Sequence, residues 1–262
     1  MSQEIVIQSW PDLCEKLYID SWKEPLQRFR TDFAYRGLSD KSYELSNGFY
    51  RTCGDCSHLE YHILRNFRKY ARFGKTEDFS SEWRVMTMGQ HYGLPTRLID
   101  WTYSPFVAVH FATQNTDRYD TDGIIWMVDF VNVNRLLPLP LQKALNKVGS
   151  NTFTIEMMEM VVPTIEEFDT MSEELMLLFF EPPSLDARIE NQYAFFSVMS
   201  DPVAIMDKWL EKHPELFYKL IIPKDLKWEI RDKLDQANIT ERLLFPGLDG
   251  LASWLKRHYT PV

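Results

Sequence analysis

A single α+β domain is what the sequence predicts, on three observations. Apolar residues at helical spacing alternate along the chain with short, bounded apolar runs of strand length. The balance of 45% hydrophobic to 26% charged residues over 262 positions is that of a globular chain. No repeat, low-complexity tract or linker divides it, so residues 1–262 are read as one domain.

Ser9 precedes Pro11 and the series Leu13, Leu17, Ile19, Trp22, which predicts a capped helix with proline in its first turn and so a helical N-terminal region. Phe33–Leu38 reads as a short strand that runs into Gly37. His58–Phe73 is helical by the spacing of Leu59, Ile63, Leu64, Phe67 and Tyr70, and Trp83–Tyr92 is a helix ended by Gly93. Leu98–Thr102 is a strand. Ser104-Pro105 then caps a helix that runs to about Thr113. After the Asp122-Gly123 turn, Ile124–Phe130 has the length and β-branching of a buried strand. Residues 131–183 carry Pro138, Pro140, Pro163 and Pro182-Pro183 and are read as loop-rich, with helices near Leu141–Val148 and Ile165–Thr170, in the manner of an insertion. Arg188–Met199 reads as a strand or strand pair. Pro202–His213 is read as a helix, Phe217–Ile222 as a strand, and Lys224–Ala237 and Phe245–Tyr259 as helices.

A formal net charge of -9 repels phosphate backbones and disfavours non-specific nucleic-acid binding. Aromatic residues make up 14%, with eight Trp, more than a minimal core needs, so some rings are expected to line a groove or interface. Three Cys offer no disulfide framework and argue for a reducing compartment. Met1–Trp10 lacks the basic and apolar regions of a signal peptide, and the longest apolar run, Leu175–Phe180, is far short of a membrane span. A cytoplasmic protein with no membrane partner is expected.

Two segments, Phe33–Arg51 and Met88–Ala112, carry the candidate site. In Tyr35-Arg36-Gly37 a lone arginine sits in an aromatic strand, where its planar fork of donors needs a carboxylate or phosphate, and the glycine admits close approach by backbone or ligand. Taken alone, the pentapeptide Phe33-Ala34-Tyr35-Arg36-Gly37 favours an internal ion pair. From Gln90 to Pro105, hydrogen-bonding side chains interleave with Leu, Ile, Trp and Pro, unlike a solvated loop. Arg97 and Asp100 are close enough to pair across a turn. If Leu98, Ile99 and Trp101 pack inward, Asp100 and Thr102 need a polar pocket or a ligand.

At these residues the chain resembles the FRG-domain family, through Tyr35-Arg36-Gly37 and through His91-Tyr92-Gly93-Leu94-Pro95-Thr96-Arg97-Leu98-Ile99-Asp100-Trp101-Thr102. Arg188-Ile189 with Gln192 and Phe195, and Leu244–Gly250, are similar too, so the resemblance covers a core of about 30–255 and is weakest over 131–183. It implies an ADP-ribosyltransferase-like fold: a split mixed sheet with flanking helices. It further implies NAD as substrate and transfer of ADP-ribose to an unknown acceptor macromolecule (protein or nucleic acid), in a bacterial or phage conflict system, with an antitoxin or other partner protein. Residue by residue, Arg36 matches the group that grips the NAD phosphates and ribose, with Tyr35 and Gly37 beside it, and Thr102 matches the hydroxyl at the end of a middle strand. Glu190 and Gln192 match the late acidic position, where a second Glu is usual. The Gln192 departure leaves two possibilities. If the strand register differs by two residues, Glu190 takes the role, since both positions face the same way; otherwise the site binds NAD without turning it over. His91, Tyr92, Arg97, Asp100, Trp101 and Tyr103 would shape the pocket, with Tyr92, Trp101 and Tyr103 as aromatic walls. Two other readings stand beside this one. The first is a non-catalytic module that recognises a nucleotide or a partner. The second is a structural role in which Arg36, Arg97 and Asp100 form core ion pairs.

Cys53, Cys56, His58 and His62 mimic a zinc set, but structural sites usually separate their ligand pairs by ~12 residues or more. The cysteines are therefore read as a free pair in a tight turn, with no metal expected. Arg65, Arg68, Lys69 and Arg72 stripe one helix face and are read as solvated, as is the acidic run Glu166, Glu167, Asp169, Glu173 and Glu174.

Overall fold

The computed structural model describes residues 4–71, 79–183 and 186–260. Its strands are β1 (Glu4–Val6), β2 (Trp22–Lys23), β3 (Arg28–Phe29), β4 (Phe33–Leu38), β5 (Ile99–Thr102), β6 (Gly123–Asp129), β7 (Phe153–Thr154), β8 (Leu177–Glu181), β9 (Ala194–Met199) and β10 (Phe217–Ile222). The helices are α1 (Trp10–Lys16), α2 (Gly48–Cys53), α3 (Leu59–Tyr70), α4 (Glu82–His91), α5 (Pro105–Thr113), α6 (Phe130–Arg135) and α7 (Leu139–Val148). They continue with α8 (Ile155–Val161), α9 (Ile165–Asp169), α10 (Ala187–Gln192), α11 (Met206–Leu210), α12 (Lys227–Gln236), α13 (Glu241–Leu244) and α14 (Leu248–His258). Eight strands form one mixed sheet in the order β1-β10-β6-β4-β5-β9-β8-β7, parallel at the β1–β10 and β7–β8 pairs and antiparallel elsewhere. The fold is thus α+β with flanking helices.

Local chemistry accounts for the elements that position the site. The Ser9 hydroxyl accepts from Asp12 N–H to start α1, and the Ser104 hydroxyl accepts from Val107 N–H to start α5, each with proline in the first turn. Gly93, at φ +81°, stops the chain just beyond α4.

The middle of the sheet is where the two halves barely touch. β4 pairs with β6 from Phe33↔Asp129 to Leu38↔Ile124, but with β5 only at Tyr35↔Thr102. Side chains alternate across the sheet. One face is a continuous core holding Ala34, Trp101, Trp126, Phe179, Phe195 and Phe217, with α6 and α11 packed on it. The other face carries two separate cores. Tyr35, Ile125, Met127 and Leu220 lie under α1, α5 and α12, whereas Leu178, Phe180, Phe196 and Val198 lie under α4, α8 and α9. The β4–β5 junction falls between those two cores, which leaves a cleft.

Four expectations are corrected. The N-terminal helix stops at Lys16. Asp20 turns the chain at φ 56°, and Trp22 pairs with Phe29 in a hairpin instead of extending the helix. Residues 131–183 are not mostly loop: they supply α6–α9 together with β7 and β8, and Leu177–Phe180 is fully buried in the sheet. Arg188–Gln192 is helix, not strand. The Asp186 carboxylate caps it by accepting from Arg188 and Ile189 N–H, and Tyr193, at φ 48°, ends it, so only Ala194–Met199 is extended. The Pro202–His213 helix shrinks to α11 because residues 201–204 form a turn in which the Asp201 side chain accepts from Val203 N–H.

Candidate functional site

Gly37 explains why β4 and α5 come together. A Cβ there would lie 1.8 Å from the Ala108 carbonyl oxygen and 2.7 Å from Ala112 N, so only a glycine lets the helix backbone rest on the strand. The close approach is made by α5 and not by a ligand. Next to it, Arg36 reaches across the gap to β5. Its Nη1 donates to the Asp100 carbonyl at 2.6 Å, and its Nε is buried with no partner among the described residues. Burial pushes the Arg36 guanidinium below its ordinary pKa, the Asp100 carboxylate opposes this, and Arg51 adds a further push downward.

The loop between α4 and β5 is held by a short polar chain. Gln90 Nε2 donates to Asp100 Oδ2 at 2.8 Å, and Gln90 Oε1 accepts from the Thr96 hydroxyl at 2.6 Å. Thr102 is buried, and both sides of its hydroxyl are used. It donates to the Gln192 carbonyl at 2.7 Å and accepts from Ser104 N–H at 2.9 Å, which ties β5 to α10 and to the start of α5. Gln192 in turn donates its side-chain amide to the Leu244 carbonyl at 3.0 Å, and Asn191 donates to that of Leu243 at 2.8 Å. His91 Nε2 lies 2.9 Å from Asp186 Oδ2 and so links the end of α4 to the cap of α10.

Two cavities open at this junction, and both are lined by Arg36 and Asp100. The smaller, about 280 Å³, is bounded by Tyr43, Phe111, Arg188 and Gln192, with Thr102 at its base. The larger, about 450 Å³, lies toward α2 and the Gln90–Ile99 loop and is bounded by Asn47, Arg51, Thr52 and Gln90. Three guanidinium groups, Arg36, Arg51 and Arg188, therefore converge on linings whose only carboxylate is Asp100. In a chain of net charge -9, this is a local reversal of sign.

Not every expected residue belongs here. Arg97 and Asp100 do not pair. Arg97 is 4% exposed and turns to α3 and α9, where its Nε donates to both Glu60 oxygens at 2.8 and 2.9 Å. Its terminal nitrogens reach Glu60, both Asp169 oxygens and the Met199 carbonyl. Burial opposes the Arg97 charge, but these two carboxylates outweigh it and raise the Arg97 pKa. This network floors a separate cavity of about 690 Å³ that shares no lining residue with the other two. Its arginine is already satisfied internally. Trp101 packs in the core with its indole N–H on the Ser197 hydroxyl at 2.7 Å. Tyr103 stacks on Phe195 at 4.1 Å and donates to Glu181, and burial and then that carboxylate raise its pKa. Trp101 nonetheless lines the smaller cavity from β5, whereas Tyr103 lines neither. Tyr92 is 55% exposed at the end of α4, and neither it nor His91 lines either cavity. Glu190 is exposed on α10 and lines neither cavity; with no strand there, it and Gln192 do not share a face by a two-residue register.

Tyr43, Asn47, Arg51, Gln90 and Phe111 fall within the two candidate segments and Arg188 within a family-like stretch, but none of them was given a role in the site. Arg51 lies on α2, four residues after the Asn47 cap. Among the described residues, no group of three or more His, Cys, Asp or Glu side chains could hold a metal ion, and Cys53 and Cys56 are free. Arg72 of the basic stripe lies outside the described residues. Among them, no helix is long and apolar enough to cross a membrane.

The FRG domain family model matches residues 31–121, which contain Tyr35-Arg36-Gly37, the whole His91–Thr102 stretch and α5, and it supports the resemblance to the FRG-domain family over that stretch. No curated protein and no solved structure matches the chain.

Proposed function

We propose that this protein binds a phosphate-bearing nucleotide at the β4–β5 junction, with NAD as the first ligand to test. The observation that carries the reading is Arg36: a half-buried guanidinium that has, among the described residues, a single protein acceptor and a buried Nε left without one, and that lines both cavities. Leaving such donors unmatched is costly, and a phosphate matches the planar fork of arginine. The two cavities flank one arginine and together fall within the size range of small-molecule sites.

A second reading adds ADP-ribosyl transfer, and Asp100 favours it. Its carboxylate is held by Gln90 in the lining of both cavities, where it would stabilise the positive charge that builds on the ribose as the bond to nicotinamide breaks. The electron pair of that bond leaves with nicotinamide, and the acceptor's nucleophile forms the new bond and gives up its proton. Exposed Glu190 and the occupied amide of Gln192 favour the binding module over the transferase.

Calorimetric titration with NAD and ADP-ribose tests the first reading. Arg36→Ala is expected to weaken binding about 10- to 100-fold with the circular dichroism unchanged. Incubation of labelled NAD with a cell lysate tests the second: label transferred to an acceptor and lost in Asp100→Asn supports it. Binding without transfer leaves the module. If neither ligand binds, both readings fall.

A further inference from the structure

Resting on the nucleotide reading, we infer that the cavity beside α2 is the anion end of the site. There Arg36 and Arg51 together hold a phosphate or pyrophosphate group, so the sugar and base lie toward Tyr43 and Phe111. Several observations converge on this orientation. Arg51 lines only the larger of the two cavities, and it is near enough to Arg36 for its charge to act on that guanidinium. Its Nη1 donates to the Ser46 carbonyl, which aims the side chain back along α2. Two cations brought together with one carboxylate between them repel, and Asp100 is already engaged by Gln90 and offers its carbonyl, not its carboxylate, to Arg36. An anion with several acceptor oxygens relieves that repulsion and supplies the acceptor that Arg36 Nε lacks.

The rest of the lining fits the same ligand. Around Arg51 it is polar and small, with Asn47, Thr52, Gly48 and Gly93, which leaves room for a solvated charged group. The smaller cavity presents the rings of Tyr43 and Phe111 with Gln114 and Gln192, a lining suited to a flat heterocycle and a ribose. The ligand class that follows is a nucleotide whose phosphates lie against α2 and whose base lies against α5.

Pyrophosphate, as the anion alone, and ADP-ribose are the probes, titrated calorimetrically against the full chain at low and at 0.3 M salt. Wild type is expected to bind both, more weakly at high salt. Arg51→Ala is expected to lose about tenfold or more for each, and Arg51→Lys to recover most of the loss because it keeps the charge. Circular dichroism checks both folds; if Arg51→Ala does not fold, Arg51→Gln, which removes the charge but keeps a polar side chain, takes its place. Pyrophosphate affinity unchanged in Arg51→Ala overturns the assignment. So does ADP-ribose binding with no pyrophosphate binding, although that result leaves the nucleotide reading standing. Failure of both probes removes both.

Discussion

Arg97→Ala separates a structural arginine from a ligand-binding one. The substitution removes the partner of Glu60, whose side chain is 6% exposed, and of Asp169, at 27%, and leaves two carboxylates facing an emptied site. Breaking a buried ion pair by deleting one partner costs about 3–5 kcal/mol. That is a large share of the ~5–15 kcal/mol that holds a domain folded. Urea unfolding read by tryptophan fluorescence is therefore expected to shift its midpoint sharply down. The deficit should also depend on pH. Burial holds the Asp169 carboxyl above its ordinary value of 3.8 even against the Arg97 hydrogen bonds, and without Arg97 it rises further. A carboxyl whose folded pKa is raised favours the folded state while protonated and loses that advantage as pH rises through the folded value. The variant should thus fall furthest behind wild type at pH 8 and less at pH 5. Nucleotide affinity in the folded fraction should not change, because Arg97 lines neither cavity at Arg36. A variant as stable as wild type, or one that stays folded and loses the nucleotide, would refute this account of Arg97.

Two further predictions test the frame around the site. Gly37→Ala places a Cβ 1.8 Å from the Ala108 carbonyl oxygen, a backbone atom that cannot swing aside, so a loss of about 3 kcal/mol or more in urea unfolding is expected; a loss under 1 kcal/mol would mean that α5 does not rest on β4. His110 is fully buried with Arg231 Nη1 at 2.9 Å from its Nδ1, and burial and then Arg231 lower its pKa from 6.5 to about 3. A base with a depressed folded pKa draws protons to the unfolded state, so stability falls as pH drops from about 6.5 toward about 3, by about 3 kcal/mol between pH 7 and pH 4. His110→Gln should flatten that slope, and an unchanged slope would place the acid sensitivity elsewhere.

How far the chain could be read without coordinates depended on the distance over which each signal acts. Ser104-Pro105 and the apolar run after it predict α5 as found, and the bounds of β4 and β10 coincide with the runs Phe33–Leu38 and Phe217–Ile222. Residues 131–183 misled because their prolines are loop signals, yet two of them sit at or beside the start of α7, where proline is accommodated. Residues 188–199 misled because the aromatic run from Tyr193 to Phe196 suggests one strand; the break between helix and strand is a single left-handed residue, Tyr193, of a type that rarely adopts that conformation. That Arg36 would need an acceptor was legible, because a lone guanidinium in an apolar strand needs a partner wherever it sits; the one it finds is the Asp100 carbonyl.

Composition, capping residues and apolar spacing by themselves determined the α+β class, the bounds of a few elements such as β4, α5 and β10, and the two segments that meet at the junction. The long-range pairings were decided by tertiary structure alone. Arg97 finds Glu60 and Asp169 at separations of 37 and 72 residues, Arg36 meets Asp100 at 64, and Arg51 arrives through a helix that no pattern connected to β5. The physical reason is that propensity and capping act over a turn or two of chain, whereas the partner of a buried charge is whichever group the packed sheet brings within hydrogen-bond reach.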